Sequence, residues 1–160
     1  MTETMGLEPG LRVLVTAGAS GIGRVIAETF ASAGARIHIC DISPEALSEC
    51  SETHPDWGVT NCDVSSESDV CRLFNEATNH LGALDVLINN AGIAGPTGGI
   101  DELSSAEWNQ TVNINLNGQF YCAKLAVPLL KQSNNASIIC LSSVAGRLGC
   151  LLYTSPSPRD

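Results

Sequence analysis

Basic residues are scarce in this chain of 160: 8 Lys and Arg stand against 17 Asp and Glu, giving a formal net charge of -9. A protein that tracks nucleic-acid phosphates or lies on an anionic membrane needs a basic face, and no Lys/Arg run supplies one. Nor do 18 apolar residues follow one another anywhere, so no transmembrane helix is expected. Met1 to Gly10 carry acids where a secretory leader has a basic start, and they lack its apolar stretch. Cytoplasmic residence is therefore the expectation. The sequence also lacks any C-x-x-C pair. Its seven cysteines, Cys40, Cys50, Cys62, Cys71, Cys122, Cys140 and Cys150, are an odd number, and three fall within strand-like stretches, so they read as free, mostly buried thiols. His38, His54 and His80 have no zinc-ligand spacing with one another or with those cysteines, so no metal is expected. Repeats and low-complexity segments are absent too.

What the chain does have is apolar material, 44% of residues, and a charged fraction of only 16%, which together suffice for one buried core. Strand-like and helical patterns alternate along it. Arg12 to Thr16, Arg36 to Asp41, Gly58 to Asp63, Leu84 to Asn89 and Ser137 to Ser142 read as strands. Between them Gly21 to Ala33, Pro44 to Cys50, Glu67 to Leu81 and one long stretch from Ser105 to Lys131 read as helices. In the third, Val70, Leu73, Phe74, Ala77 and Leu81 share one face of a 3.6-residue period, which predicts packing on a sheet. Ser104-x-x-Glu107 is a capping box before the long helix. Continuously apolar strands separated by helices predict a parallel sheet covered on both faces: a doubly wound, Rossmann-like α/β fold.

The run Thr16-Ala17-Gly18-Ala19-Ser20-Gly21-Ile22-Gly23 sits between the first strand and the first helix. That is where a dinucleotide's pyrophosphate is held, because glycines allow close backbone approach and the helix N-terminus attracts negative charge. Asp41 closes the next strand, where a carboxylate accepts hydrogen bonds from ribose hydroxyls and repels a 2′-phosphate. Neither Ser20 nor Ile42 offers a compensating charge, so NAD(H) is expected over NADP(H).

Together with Cys62-Asp63-Val64, Asn89-Asn90-Ala91-Gly92, Trp108 followed by Asn115-Leu116-Asn117-Gly118, and Leu141-Ser142-Ser143-Val144-Ala145-Gly146, these features make the chain resemble the short-chain dehydrogenase/reductase family over residues 11 to 149. The resemblance implies a hydride-transferring oxidoreductase acting between an alcohol and a carbonyl, in a parent that forms homo-oligomers. It implies pyrophosphate contacts at Ser20 and Ile22, cofactor binding at the neighbouring Gly21 and Gly23, adenine contacts at Asp63 and Val64, and a cofactor cleft lined by Asn90, Ala91 and Gly92. It implies a catalytic role for Ser143, preferred over Ser142, and for Asn115, an asparagine whose helix is otherwise apolar at Val112, Leu116 and Phe120. The family pattern has glycine where Ala17 stands. If that slot needs positive φ, alanine costs ~1 kcal/mol or more, unless Gly18 absorbs the turn.

A Tyr-x-x-x-Lys motif, on which proton transfer depends in this family, is absent. Tyr153 stands only ten residues past Ser143, Ser157 occupies the lysine's place, and Pro156 and Pro158 forbid a helix there. The stretch from Cys150 to Asp160 resembles the translation of a transposase-type sequencing adapter, so the natural sequence is expected to end at Gly149 and the tail to be excluded from the fold. On this reading Met1 to Gly10 is an extension, 11 to 149 an incomplete dinucleotide-binding domain, and the chain alone inactive. A non-catalytic dinucleotide-binding protein is the alternative.

Overall fold

Five strands run parallel in one sheet: β1 (Arg12–Thr16), β2 (Arg36–Asp41), β3 (Gly58–Asn61), β4 (Val86–Asn89) and β5 (Ser137–Cys140), in the order β3-β2-β1-β4-β5. They belong to a computed structural model that describes residues 8–143. The Val144-Ala145-Gly146 turn, Gly149, and the tail with Cys150 and Tyr153 lie outside the described residues. Four helical stretches join the strands: α1 (Gly21–Ser32), α2 (Pro44–Thr53), α3 (Glu67–Leu81), and the pair α4 (Ser105–Val112) and α5 (Gly118–Leu130).

The pleat of β1 explains the layering. Leu14 points to one face, into a cluster with Val70, Leu73, Phe74, Ala77 and Leu81 of α3 and Cys122, Ala126 and Leu130 of α5. Val13 and Val15 point to the other, with Ile37, Ile39 and Ala27 of α1 and Leu47 of α2. The expected one-face pattern of α3 is thus formed, and each fully buried Leu, Val or Phe there contributes ~1.5–3 kcal/mol. Helix ends follow their sequence signals. Ser43 and Ser66 accept the amides of Ala46 and Asp69, Gly82 ends α3 at φ 82°, and Ser104 and Glu107 form the predicted capping box.

The long helix expected from Ser105 to Lys131 runs from Ser105 to Leu130, interrupted in its hydrogen-bond pattern by one π-turn. Asn113–Asn117 is a π-turn, closed by the Gly118 amide bonding back to the Asn113 carbonyl. Three asparagines in five residues, poor helix formers, mark the place where the helix takes in one extra residue. Strand ends are also shorter than the apolar patterning suggested: β3 stops at Asn61, β4 begins at Val86, and β5 stops at Cys140. Beyond those points the chain is already turning into loops.

At the N-terminal end of the sheet, Arg12 donates Nε and Nη2 to Asp85 at 2.7 Å each, and its amide to the same carboxylate at 2.9 Å. Ser133 Oγ donates to Asp85 at 2.5 Å, which ties the loop before β5 to the start of β4. The guanidinium and these hydrogen bonds hold the Asp85 carboxyl well below the usual carboxylate range. Among the described residues no helix is long and apolar enough to cross a membrane.

Candidate functional site

The order β3-β2-β1-β4-β5 sends the crossovers after β1 and β4 to opposite sides, which leaves a crevice beyond the C-terminal ends of those two strands. Thr16, the polar residue that closes apolar β1, joins its walls. Its Oγ1 accepts the amides of Asn90 and Ala91 at 3.0 Å each and donates to the Ile88 carbonyl at 3.4 Å. Asn90 answers by donating Nδ2 to the carbonyls of Thr16 and Ala17, both at 3.0 Å. The loop after β4 is thereby fastened to the turn after β1.

That turn is strained at one residue. Ala17 lies at φ 49°, so the slot needs positive φ, and Gly18 does not absorb it. Alanine is held in a left-handed conformation that costs ~1–2 kcal/mol. Gly23 cannot be replaced, because a Cβ there would strike the Ala17 carbonyl and come within 2.6 Å of Asn90 Nδ2. Glycine therefore lets α1 approach the turn closely. The first backbone bond into α1 runs from the Arg24 amide to the Ser20 carbonyl, so the amides of Gly21, Ile22 and Gly23 have no intrahelical acceptor. Ser20 is the N-cap without a side-chain cap bond, and Ser20, Gly21 and Ile22 are exposed. Four residues thus present a helix N-terminus of the kind that attracts anions.

Beside it opens a cleft of about 260 Å³, lined by Ala17, Asp41, Ile42, Cys62, Asp63, Val64, Ala91, Gly92, Ile93, Gln110 and Ile114. No lysine or arginine is among them. Asp41 ends β2 on its wall, with Oδ2 accepting the Ala19 amide at 3.2 Å and Oδ1 the Ser43 amide at 3.1 Å. The carboxylate both braces the glycine loop and turns the chain toward α2. Asp63 Oδ1 accepts the amide and hydroxyl of Ser65, and Val64 is buried against Gly118. Cys62 lies with Cys40 and Cys122 in the core behind this wall. The hydrogen bond to Cys62 and burial push the Cys40 thiol up, and burial pushes Cys122 up to about 12, so both stay protonated at neutral pH.

Asn115 stands within the π-turn and grips one residue at two points: its Oδ1 accepts the Ile93 amide and its Nδ2 donates to the Ile93 carbonyl, each at 2.8 Å. The loop after β4 is thus paired with a side chain as it would be with a strand. Asn115's apolar helix neighbours Leu116 and Phe120 are exposed. Ser143 follows β5 at the same end of the sheet and is exposed, beyond Leu141, whose amide donates to the Asn89 carbonyl at 2.9 Å. The structure brings Ala91, Gly92, Asp41, Asp63 and Val64 to one cleft and puts the Ser20–Gly23 segment at its edge. Asn90 reaches the glycine turn rather than the cleft, and Ser143 is not among the lining residues. Sequence reasoning passed over Thr16, Ile93 and Gln110. Only Thr16 left a signal, a hydroxyl closing a run of Val-Leu-Val.

Comparison with known proteins agrees with this geometry. A tropinone reductase homolog of Arabidopsis thaliana is 39% identical over 142 residues, covering 86% of this chain and 54% of that protein. The 2-dehydro-3-deoxy-L-rhamnonate dehydrogenase (NAD(+)) of a Sphingomonas strain is 33% identical, covering 93% of this chain and 60% of its own length. Among solved structures, a 7α-hydroxysteroid dehydrogenase complexed with NADH and 7-oxo glycochenodeoxycholic acid superposes with a TM-score of 0.83 at 27% identity, over 89% of this chain and 56% of that one. The chain therefore spans little more than half the length of these relatives. The sequence model described as short chain dehydrogenase matches residues 12–155, and with that match the chain belongs to the short-chain dehydrogenase family.

Proposed function

We propose that this chain carries the dinucleotide-binding half of an NAD(H)-dependent oxidoreductase that interconverts an alcohol and a carbonyl. The observation that carries this reading is the cleft at the switch point, with Asp41 on its wall and no cation among its lining residues. The residues fit a dinucleotide: the unpaired amides of Gly21, Ile22 and Gly23 beside Ser20 would hold a pyrophosphate, and Asp41 the adenosine ribose. Asp63 and Val64 would flank the adenine, while Asn90, Ala91 and Gly92 would bound the cofactor's path. A 2′-phosphate would meet the Asp41 carboxylate without a compensating charge, which is why NAD(H) is favoured over NADP(H). The NAD(+) in the name of the Sphingomonas relative and the NADH in the steroid dehydrogenase complex support the same choice. The nicotinamide, when bound, supplies or accepts the hydride. Ser143 would hydrogen-bond the substrate oxygen, and Asn115, through Ile93, would fix the loop that faces it.

The parent enzyme would be cytoplasmic and homo-oligomeric, with exposed Trp108, Leu116 and Phe120 in its subunit contacts. Residues 150–160 are proposed not to belong to it. A titration with both dinucleotides tests the cofactor reading, and equal or tighter binding of NADPH would sink it. A second reading, a dinucleotide-binding protein without catalysis, gains support from the missing Tyr-x-x-x-Lys motif only if residues 150–160 are native. Sequencing the source locus across the Gly149 codon separates the two: a frame running on into such a motif supports the enzyme, and an encoded tail with a stop supports the binder.

A further inference from the structure

Far from the cleft, two histidines separated by 42 positions meet where β2, β3 and α3 converge. His38 pairs with Gly58 across the β2–β3 ladder, and His80, in the last turn of α3, packs over them with its ring centroid 5.5 Å from that of His38. Each ring has a buried Nδ1 without a hydrogen-bond partner. Both atoms point at the same small volume: a Cβ on Gly58 would strike His38 Nδ1 and lie 2.5 Å from His80 Nδ1. Burying even one polar atom without a partner is expensive, and here two converge.

The hydrogen bonds around His38 settle its tautomer. Thr60 Oγ1 donates its single proton to Glu76 Oε2 at 2.5 Å, so in its 2.9 Å contact with His38 Nε2 the hydroxyl can only accept. Neutral His38 therefore carries its proton on Nε2 and a bare lone pair on Nδ1. A ring fixed by donation from its far nitrogen into a hydroxyl–carboxylate chain is the arrangement that orients metal-ligating histidines. Arg36 holds the other partner in place, donating Nη2 to the His80 carbonyl at 2.6 Å and Nη1 to the Leu81 carbonyl at 2.9 Å.

We propose that His38 Nδ1 and His80 Nδ1, converging over the bare Cα of Gly58, form a two-histidine site for a divalent transition-metal ion, with zinc as its simplest occupant. Zinc–imidazole bonds of ~2.0–2.1 Å put two nitrogens up to ~4 Å apart, a separation compatible with atoms that both lie near the Gly58 Cβ position. Neutral imidazoles suit zinc, copper and nickel, and, with both Nδ1 atoms buried, water would have to enter with the ion to complete its coordination. Glu76 supplies a compensating negative charge one hydroxyl away. The spacing of the two residues in sequence hides the site. It is the sheet register and the packing of α3 that make it.

The test is a Zn²⁺ titration of the metal-stripped 160-residue chain under reducing conditions, followed by calorimetry and by the ¹⁵N resonances of the histidine rings. The expected result is one equivalent of Zn²⁺ that shifts Nδ1 of His38 and of His80 together, and binding at least tenfold weaker in His80→Gln. That substitution lies on the half-exposed last turn of α3, and a matching thermal melt checks the fold. Gly58→Ala, which fills the point of convergence, should abolish the shift as well. If saturating Zn²⁺ leaves both Nδ1 resonances in place, the rings are joined by a direct imidazole–imidazole hydrogen bond and the proposal fails. If His80→Gln binds as tightly as the parent chain, the ion sits on exposed Cys71 or Cys140 and the proposal fails equally.

Discussion

β1 and β5 belong to the same parallel sheet, yet Val13, Leu14 and Val15 of β1 are completely buried while every residue of β5 is exposed. The contrast extends to the helices that serve them. α3 buries five side chains and α4 buries none. On the first side polar groups close on one another: Thr16 with Asn90 and Ala91, Asp41 with Ala19 and Ser43. On the second, Trp108 at 56% and Leu116 at 65% exposure face outward together with Ile139. The proposed dinucleotide site draws mainly on the closed side, at the ends of β1, β2 and β4, with Gln110 and Ile114 reaching it from the other. The groups proposed to face substrate, Ser143 and Asn115, sit on the open side, where Asn115 is held by its two hydrogen bonds to Ile93.

Acid should break the closed side, with the largest effect. The folded-state pKa of His38, about 4, lies below its ordinary 6.5, so the unfolded chain takes up the proton first. Stability is complete above pH 6.5 and falls as pH drops toward 4, by ~3 kcal/mol from this group. Urea unfolding at pH 7.5 and 4.5, read by Trp57 fluorescence, measures it, and His38→Gln should flatten the dependence. Next comes the tether between the two sides. Asp85→Ala strands the Arg12 guanidinium, one third exposed, and the Ser133 hydroxyl, and should cost ~2–3 kcal/mol, with hydrogen-exchange protection lost first in β5.

Asp41→Ala removes the proposed ribose acceptor and the brace on the glycine loop. NADH should bind ~10–100-fold more weakly, and discrimination against NADPH should disappear, both read by fluorescence titration. The smallest effect is a gain. Ala17→Gly relieves the left-handed alanine, offset by glycine's entropy, and should raise stability by ~0.5–1 kcal/mol in a thermal melt. A loss instead would show that the strain at this turn has been misassigned.

The sequence made the closed side legible because its signals are local. The apolar triplet Val13-Leu14-Val15 marked β1, the bounds of β2 were legible to the residue, and the 3.6 period of Val70 to Leu81 gave the buried face of α3; on the open side Ser104-x-x-Glu107 formed its box. The π-turn at Asn113–Asn117 was not legible, since one extra residue in a helix scarcely disturbs its apolar period. Nor was the division of labour within Asn89-Asn90-Ala91-Gly92, where Asn90 turns to the carbonyls of Thr16 and Ala17 while Ala91 and Gly92 face the cleft. Asp41 reads in the sequence as a ribose partner. Its two oxygens already accept Ala19 and Ser43 amides, so the bracing role is built in whatever else the carboxylate binds. The meeting of His38 with His80 depends on register and packing between distant segments, which no spacing rule records.

The cleft between Asp41 and Gly92 is proposed to bind NAD(H) in preference to NADP(H). Titrating the 160-residue protein with NADH and with NADPH, following nicotinamide fluorescence, tests it. Saturable NADH binding with at least a tenfold preference over NADPH, and no turnover of a panel of secondary alcohols with NAD⁺, is the predicted result. Absence of binding to either dinucleotide, or equal affinity for the two, would contradict it.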